Sequence, residues 1–119
     1  MKYLLLLYGP DGPLPEPGTA EHKTMLEQWT AATDAMRSAG VLIDCAPLQP
    51  AVASTTIRVR NGEVVLTDGP AAEIKEHFGG FTLVECADLD DALKCAATLP
   101  SASEGAIEIR PVIHVAASA

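Results

Sequence analysis

Along the first eight residues both alternating faces are apolar, with Tyr3, Leu5 and Leu7 on one side and Leu4, Leu6 and Tyr8 on the other. That pattern predicts a strand over residues 2–8 buried on both faces. Residues 9–18 hold four prolines and three glycines and read as a loop. Thr19 then stands where an N-cap belongs, before a helix predicted to run to about Ala39. On it Met25, Trp29, Ala32 and Met36 form a stripe at helical spacing, and Gly40 supplies the stop.

A short apolar strand is predicted over 41–45, ended by Pro47 and Pro50. Two β-rich runs, 55–60 and 63–67, are separated by Asn61-Gly62, the strongest two-residue hairpin signal. After Asp68-Gly69-Pro70 a short helix is expected over 71–77, stopped by Gly79-Gly80, and then a strand over 81–86. A second long helix is predicted over 89–99, capped by Asp88, with Leu89, Ala92, Leu93, Ala96 and Ala97 inward and Pro100 closing it. The last strand is predicted over 106–115.

Strand, helix, strand, hairpin and short helix, strand, helix, strand is the order of an α+β, ferredoxin-like split β-α-β protomer with an inserted β-hairpin. One antiparallel sheet then carries both long helices on one face. The other face has no helix to cover it, although the first strand is apolar on both sides. A bare apolar face of that extent points to a partner, and a second copy related by a two-fold axis is the simplest cover.

Composition narrows the function classes. The chain has 119 residues, 8 Lys plus Arg against 16 Asp plus Glu, and a net charge of −8. One domain is expected at this length. The excess of acid argues against a nucleic-acid partner. Residues 61–119 hold most of it, three basic against ten acidic, and Asp88, Asp90 and Asp91 are placed where a helix dipole favours carboxylates. The opening apolar run stops at Gly9-Pro10, far short of the roughly 20 residues that span a bilayer, so no membrane partner is expected. Cys45, Cys86 and Cys95 form no C-x-x-C pair, so neither a disulfide framework nor a thiolate zinc site is suggested and a reducing, cytoplasmic setting follows. With one Trp, two Tyr and two Phe, Ala, Leu, Val and Ile must fill the core.

Candidate chemistry concentrates on the last strand. A period of two puts Ile107, Ile109 and Ile113 on one side and Glu108, Arg110, Val112 and His114 on the other. If the apolar side meets the helices, Arg110 faces the uncovered side, where a guanidinium can hold a small carboxylate ligand bidentately with Glu108 or His114 as proton acceptor. A purely structural Glu108–Arg110 pair is the competing reading. Asp68 is either a general base beside the fixed turn Gly69-Pro70 or an Asx-type turn residue. Trp29 offers ligand stacking or core packing, and Tyr8 offers a hydroxyl or a strand-end anchor. His22 reads as the partly exposed end of the first helix's stripe, and His77 as a cation suited to the end of a short helix. No H-x-x-x-H or H-E-x-x-H pattern, P-loop or G-x-G-x-x-G occurs, so neither a metal site nor a cofactor is expected.

Met1-Lys2-Tyr3-Leu4-Leu5-Leu6, Leu66-Thr67-Asp68-Gly69-Pro70 with Glu73 and Lys75, Gly79-Gly80-Phe81, Asp88-Leu89-Asp90-Asp91-Ala92 and Ile107-Glu108-Ile109-Arg110-Pro111-Val112 together resemble the YCII-related, or DGPF, domain family. The resemblance spans nearly the whole chain in order. It implies a dimeric α/β-barrel, two ferredoxin-like protomers with their sheets face to face. A few members of the wider family resemble lyases or dehalogenating enzymes of aromatic breakdown, and many lie beside sigma-factor genes. The resemblance therefore implies either a cofactor-independent lyase- or isomerase-like enzyme or a binding module linked to transcription. Two positions depart from the family pattern: Ala71 replaces the Phe of the namesake motif, and Trp29 stands where one branch of the family has the His of a His/Asp dyad.

Overall fold

The computed structural model describes residues 1–10 and 14–114, so the middle of the predicted loop and Val115 lie outside it. The elements are β1 (Lys2–Gly9), α1 (Ala20–Ser38), β2 (Leu42–Pro47), a 3-10 turn (Ala51–Ala53), β3 (Thr55–Arg60), β4 (Glu63–Asp68), β5 (His77–Glu85), α2 (Leu89–Ala97), α3 (Ser101–Glu104) and β6 (Ala106–Pro111). Four strands form one sheet in the order β2-β5-β1-β6, every neighbour antiparallel, and β3-β4 form a separate hairpin. β5 is inserted between β1 and β2, the strands joined through α1. β1 is likewise inserted between β5 and β6, the strands joined through α2 and α3. These interleaved split β-α-β units make the fold ferredoxin-like, as the element order predicts.

β1 lies at the centre of the sheet, but only one of its two apolar faces is buried, Leu4, Leu6 and Tyr8 being half-buried on the side without helices. Tyr3, Leu5 and Leu7 are buried against Ala32 and Met36 of α1, Ala92 and Ala96 of α2, Val84 and Leu99, with Trp29, Ile107 and Ile109 packed at the margin. Both predicted caps form: the Thr19 hydroxyl accepts from the His22 amide at 3.2 Å, and the Asp88 carboxylate from the Asp91 amide at 3.0 Å. Gly40, with φ +76°, leaves α1 in the left-handed conformation that glycine adopts without a Cβ penalty.

Three expectations are corrected. Residues 71–77 form no helix; the segment runs through bends, and β5 opens early at His77. Ile74 is the one large apolar side chain between Pro70 and His77, and at 56% exposure it gives a short helix no buried stripe to stabilise it. Gly79-Gly80 consequently lies inside the strand rather than at a helix end. There Gly80 is required, since a Cβ would come 2.5 Å from the Ala46 carbonyl oxygen across the β2 pairing. On α2, Leu89 and Leu93 are 48% and 49% exposed and Ala97 is exposed, while Ala92, Cys95, Ala96 and Leu99 face the sheet. Small side chains on that face suit a close approach of helix to sheet. The last strand ends at Pro111; Val112 adds one rung, its N–H donating to the Lys2 carbonyl at 2.9 Å. Ile113 and His114 follow the ladder and are exposed, so the alternation no longer assigns them a face.

The hairpin turns as predicted. Asn61 at φ 52° and Gly62 at φ 78° occupy the left-handed region that a two-residue type I′ turn needs. Its register sets Thr55 against Asp68, Ile57 against Leu66 and Val59 against Val64, so these six side chains share one face. Gly69 N–H donates to the Ser54 carbonyl at 2.8 Å, and the Thr56 hydroxyl to the Gly69 carbonyl at 2.7 Å, closing the base of the hairpin. Apart from half-buried Thr56, every residue of both its strands is exposed.

Candidate functional site

The register assembles a field of side chains on the sheet face opposite the helices. Leu4 stands between Leu83 and Arg110, and Leu6 between Phe81 and Glu108. Since Leu5, Leu7, Ile107 and Ile109 point to the core, Leu4, Leu6, Glu108 and Arg110 point away from it. Tyr8 continues this face, opposite Phe78 and Ala106, and its ring lies 5.3 Å from that of Phe78 at 38°. The field is thus apolar and aromatic with one ion pair in it: the Arg110 guanidinium donates to the Glu108 carboxylate. Two residues apart on one strand, they meet because both lie on the same side of the pleat. Leu4, Leu6, Tyr8, Phe78, Phe81 and Leu83 are only half-buried, in contrast to the core on the other side.

Arg110 and Glu108 are the predicted site residues that the fold brings together, with Tyr8 on the same face. Trp29 lies across the sheet from them, half-buried against the core. Asp68 is exposed at the end of β4, with Gly69 at φ +104° and exposed Pro70 following it in the turn. His114 is exposed beyond the last rung of the ladder.

Sequence reasoning missed Phe78 and placed His77, read as a helix-end cation, in the wrong element. Phe78 falls in the segment expected to end a helix, and only its pairing with Tyr8 reveals it as part of the open face. His77 opens β5 opposite Gly9 on the core side, where its Nε2 is buried without a hydrogen-bond partner among the described residues. Its ring lies beside Gly79 on the same side of the strand, Cδ2 3.5 Å from where a Cβ would be, an ordinary van der Waals distance. No motif announces either.

Electrostatics single out one further group. Burial pushes the Cys86 thiol up to about 11, with Cys95 and then Asp91 adding to the effect. A thiol held protonated in this way packs as an apolar group and is a poor nucleophile. Two grooves lie elsewhere, one of about 690 Å³ along the outer side of α1 beside His22, Leu26 and Asp34, the other of about 520 Å³ where Gln28 and Ala31 meet Pro100 and Glu104. Neither contains Arg110, Glu108 or Asp68. Among the described residues no helix is long and apolar enough to cross a membrane.

The fold and this face define a small ferredoxin-like α+β protein with an acid–arginine pair set in an uncovered apolar sheet. Residues 1–116 match the model of the YCII-related domain, and the chain belongs to that family. An uncharacterised protein of Rhizobium meliloti (strain 1021) is 36% identical over 114 residues, which cover 94% of this chain and 92% of that protein. Among solved structures, the 5-chloro-2-hydroxyhydroquinone dehydrochlorinase TftG of Burkholderia phenoliruptrix AC1100, in complex with 2,5-dihydroxybenzoquinone, aligns over 97% of this chain and 96% of its own at 13% identity, with a TM-score of 0.49.

Proposed function

We propose that the protein is a cofactor-independent enzyme of the lyase or isomerase type, acting on a small carboxylate or aromatic compound. The site forms between two sheets when a second copy packs over the open face. The observation that carries this reading is the Arg110–Glu108 pair set among Leu4, Leu6, Phe81 and Tyr8 on that face. A planar guanidinium in apolar surroundings binds a carboxylate through two parallel hydrogen bonds. A ligand that takes the guanidinium also releases Glu108, which then stands beside the bound molecule as a proton acceptor. Tyr8 and Phe81 offer ring faces to an aromatic substrate. Asp68 and His114 are the further candidates for proton transfer, Gly69 and Pro70 fixing the turn beside Asp68. A cytoplasmic setting fits three free cysteines.

A panel of benzoate and hydroxybenzoates in a thermal-shift assay tests the site. Wild-type protein is stabilised by at least one member, and Arg110→Ala weakens that binding tenfold or more. Undiminished binding by Arg110→Ala would remove the face from consideration. A second reading, a non-catalytic small-molecule-binding or regulatory module, is favoured by Ala71 and Trp29 in place of the family's Phe and His. It predicts ligand stabilisation without turnover, whereas the enzyme reading predicts that Asp68→Asn loses turnover and keeps binding.

A further inference from the structure

We infer that the β3–β4 hairpin is a docking arm whose apolar face, Ile57, Val59, Val64 and Leu66, lies on a second copy of this chain. These four side chains are 62%, 59%, 61% and 64% exposed, and they are adjacent across the hairpin. A two-stranded hairpin alone in water is marginal, and one with four bare aliphatic side chains on a single face gains stability only by covering them.

Area fits a second copy as the occupant. The chain exposes 8423 Å², whereas a compact folded monomer of this mass exposes about 6,100 Å². The excess, roughly 2,300 Å², is enough for one partner's share of an obligate homodimer interface, and it is well above the ~800 Å² per partner of a standard-size interface. The radius of gyration says the same, 16.5 Å against about 13.5 Å for a compact domain of this length. Much of the bare apolar surface falls in two patches, the open sheet face and the arm, and a self-complementary two-fold contact can bury both on both copies. Asp68 shares the arm's apolar face, opposite Thr55, so a docked arm carries that carboxylate onto the second copy.

The inference rests on the paired sheets proposed above, and sedimentation from nanomolar to tens of micromolar separates the two. Wild type is expected to be a dimer, and Ile57→Asp with Leu66→Asp raises its dissociation constant at least tenfold. Leu93→Asp, an equally exposed leucine on the helix side, leaves it unchanged. A dimer indifferent to the arm substitutions overturns the arm while leaving the paired sheets standing. A wild-type monomer at the highest concentration overturns both, as does binding of the arm to phosphatidylglycerol vesicles by a monomeric chain. A measurement free of variants runs alongside: in a mixture of two isotopically distinct wild-type chains, isotope-filtered NOEs from the Leu66 methyls must cross between copies. Their confinement within one chain also rejects the docked arm.

Discussion

β1 sets Leu5 against Thr82 and Leu7 against Gly80, and β3 sets Ile57 against Leu66; both ladders are antiparallel and both present aliphatic side chains on one face. Leu5 is 0% exposed beneath two helices, while Ile57 is 62% exposed beneath nothing. The strand pairs differ in what the intervening chain supplies. After β1 and after β5 the connection contains a helix with a buried stripe, and after β3 it contains two residues. Strand propensity and hydrophobicity therefore do not decide burial; the connection does.

Truncation gives the largest contrast. Leu5→Ala is expected to cost about 3 kcal/mol, because a fully buried leucine leaves a cavity that a packed sheet cannot refill. Leu66→Ala, assayed in urea at a protein concentration too low for association, should cost less than about 0.5 kcal/mol. Equal costs would mean that the arm packs within its own protomer.

The alkaline limb of stability probes the covered side next. The folded Cys86 thiol keeps its proton up to about 11, while the unfolded thiol releases it near 9.0, so between those values the folded state binds more protons. Its contribution is complete below pH 9 and drains as the pH rises through that window, at about 1.4 kcal/mol per unit. Urea midpoints of wild type and Cys86→Ala should therefore converge between pH 8 and pH 10.5. Parallel curves would show that the thiol is not as sheltered as its position beside α2 implies.

The smallest effect is local. Gly62→Ala places a side chain at φ 78°, a strain of roughly 1 kcal/mol. It should lower hydrogen-exchange protection at Arg58 and Val65, a hydrogen-bonded pair of the hairpin ladder, and leave the protection of Leu5 unchanged. A matching loss at Leu5 would mean that arm and sheet open as one unit.

Much of this contrast could be read from residue order. Asn61-Gly62 announced the hairpin because few dipeptides accept two left-handed residues in succession, and Thr19 and Asp88 announced helix starts because their short oxygens reach the free amides of a first turn. Alternation from Ile107 to Arg110 placed the ion pair on the correct side of the sheet. Three things were hidden. Residues 71–77 have helix-forming composition without a buried stripe, and tertiary pairing of Phe78 with Tyr8 claims the end of that segment for a strand. The outward turn of Leu89 and Leu93 depends on how closely α2 sits on the sheet, which no local pattern encodes. The partnerless Nε2 of His77 depends on which groups the fold gathers around the start of β5, a property of space rather than of spacing.

The topology also has a kinetic consequence. β1 pairs with β5 and β6, and the first of these opens at His77. At the usual pace of synthesis, about 5–20 residues per second, the strand waits several seconds before either of its neighbouring strands is made. Loop closure over that distance then precedes every strand pairing of β1. For this chain the ribosome exit and the chaperones nearby are the first environment its most hydrophobic segment meets, and overproduction faster than they can shield it should send the protein to inclusion bodies before stability matters.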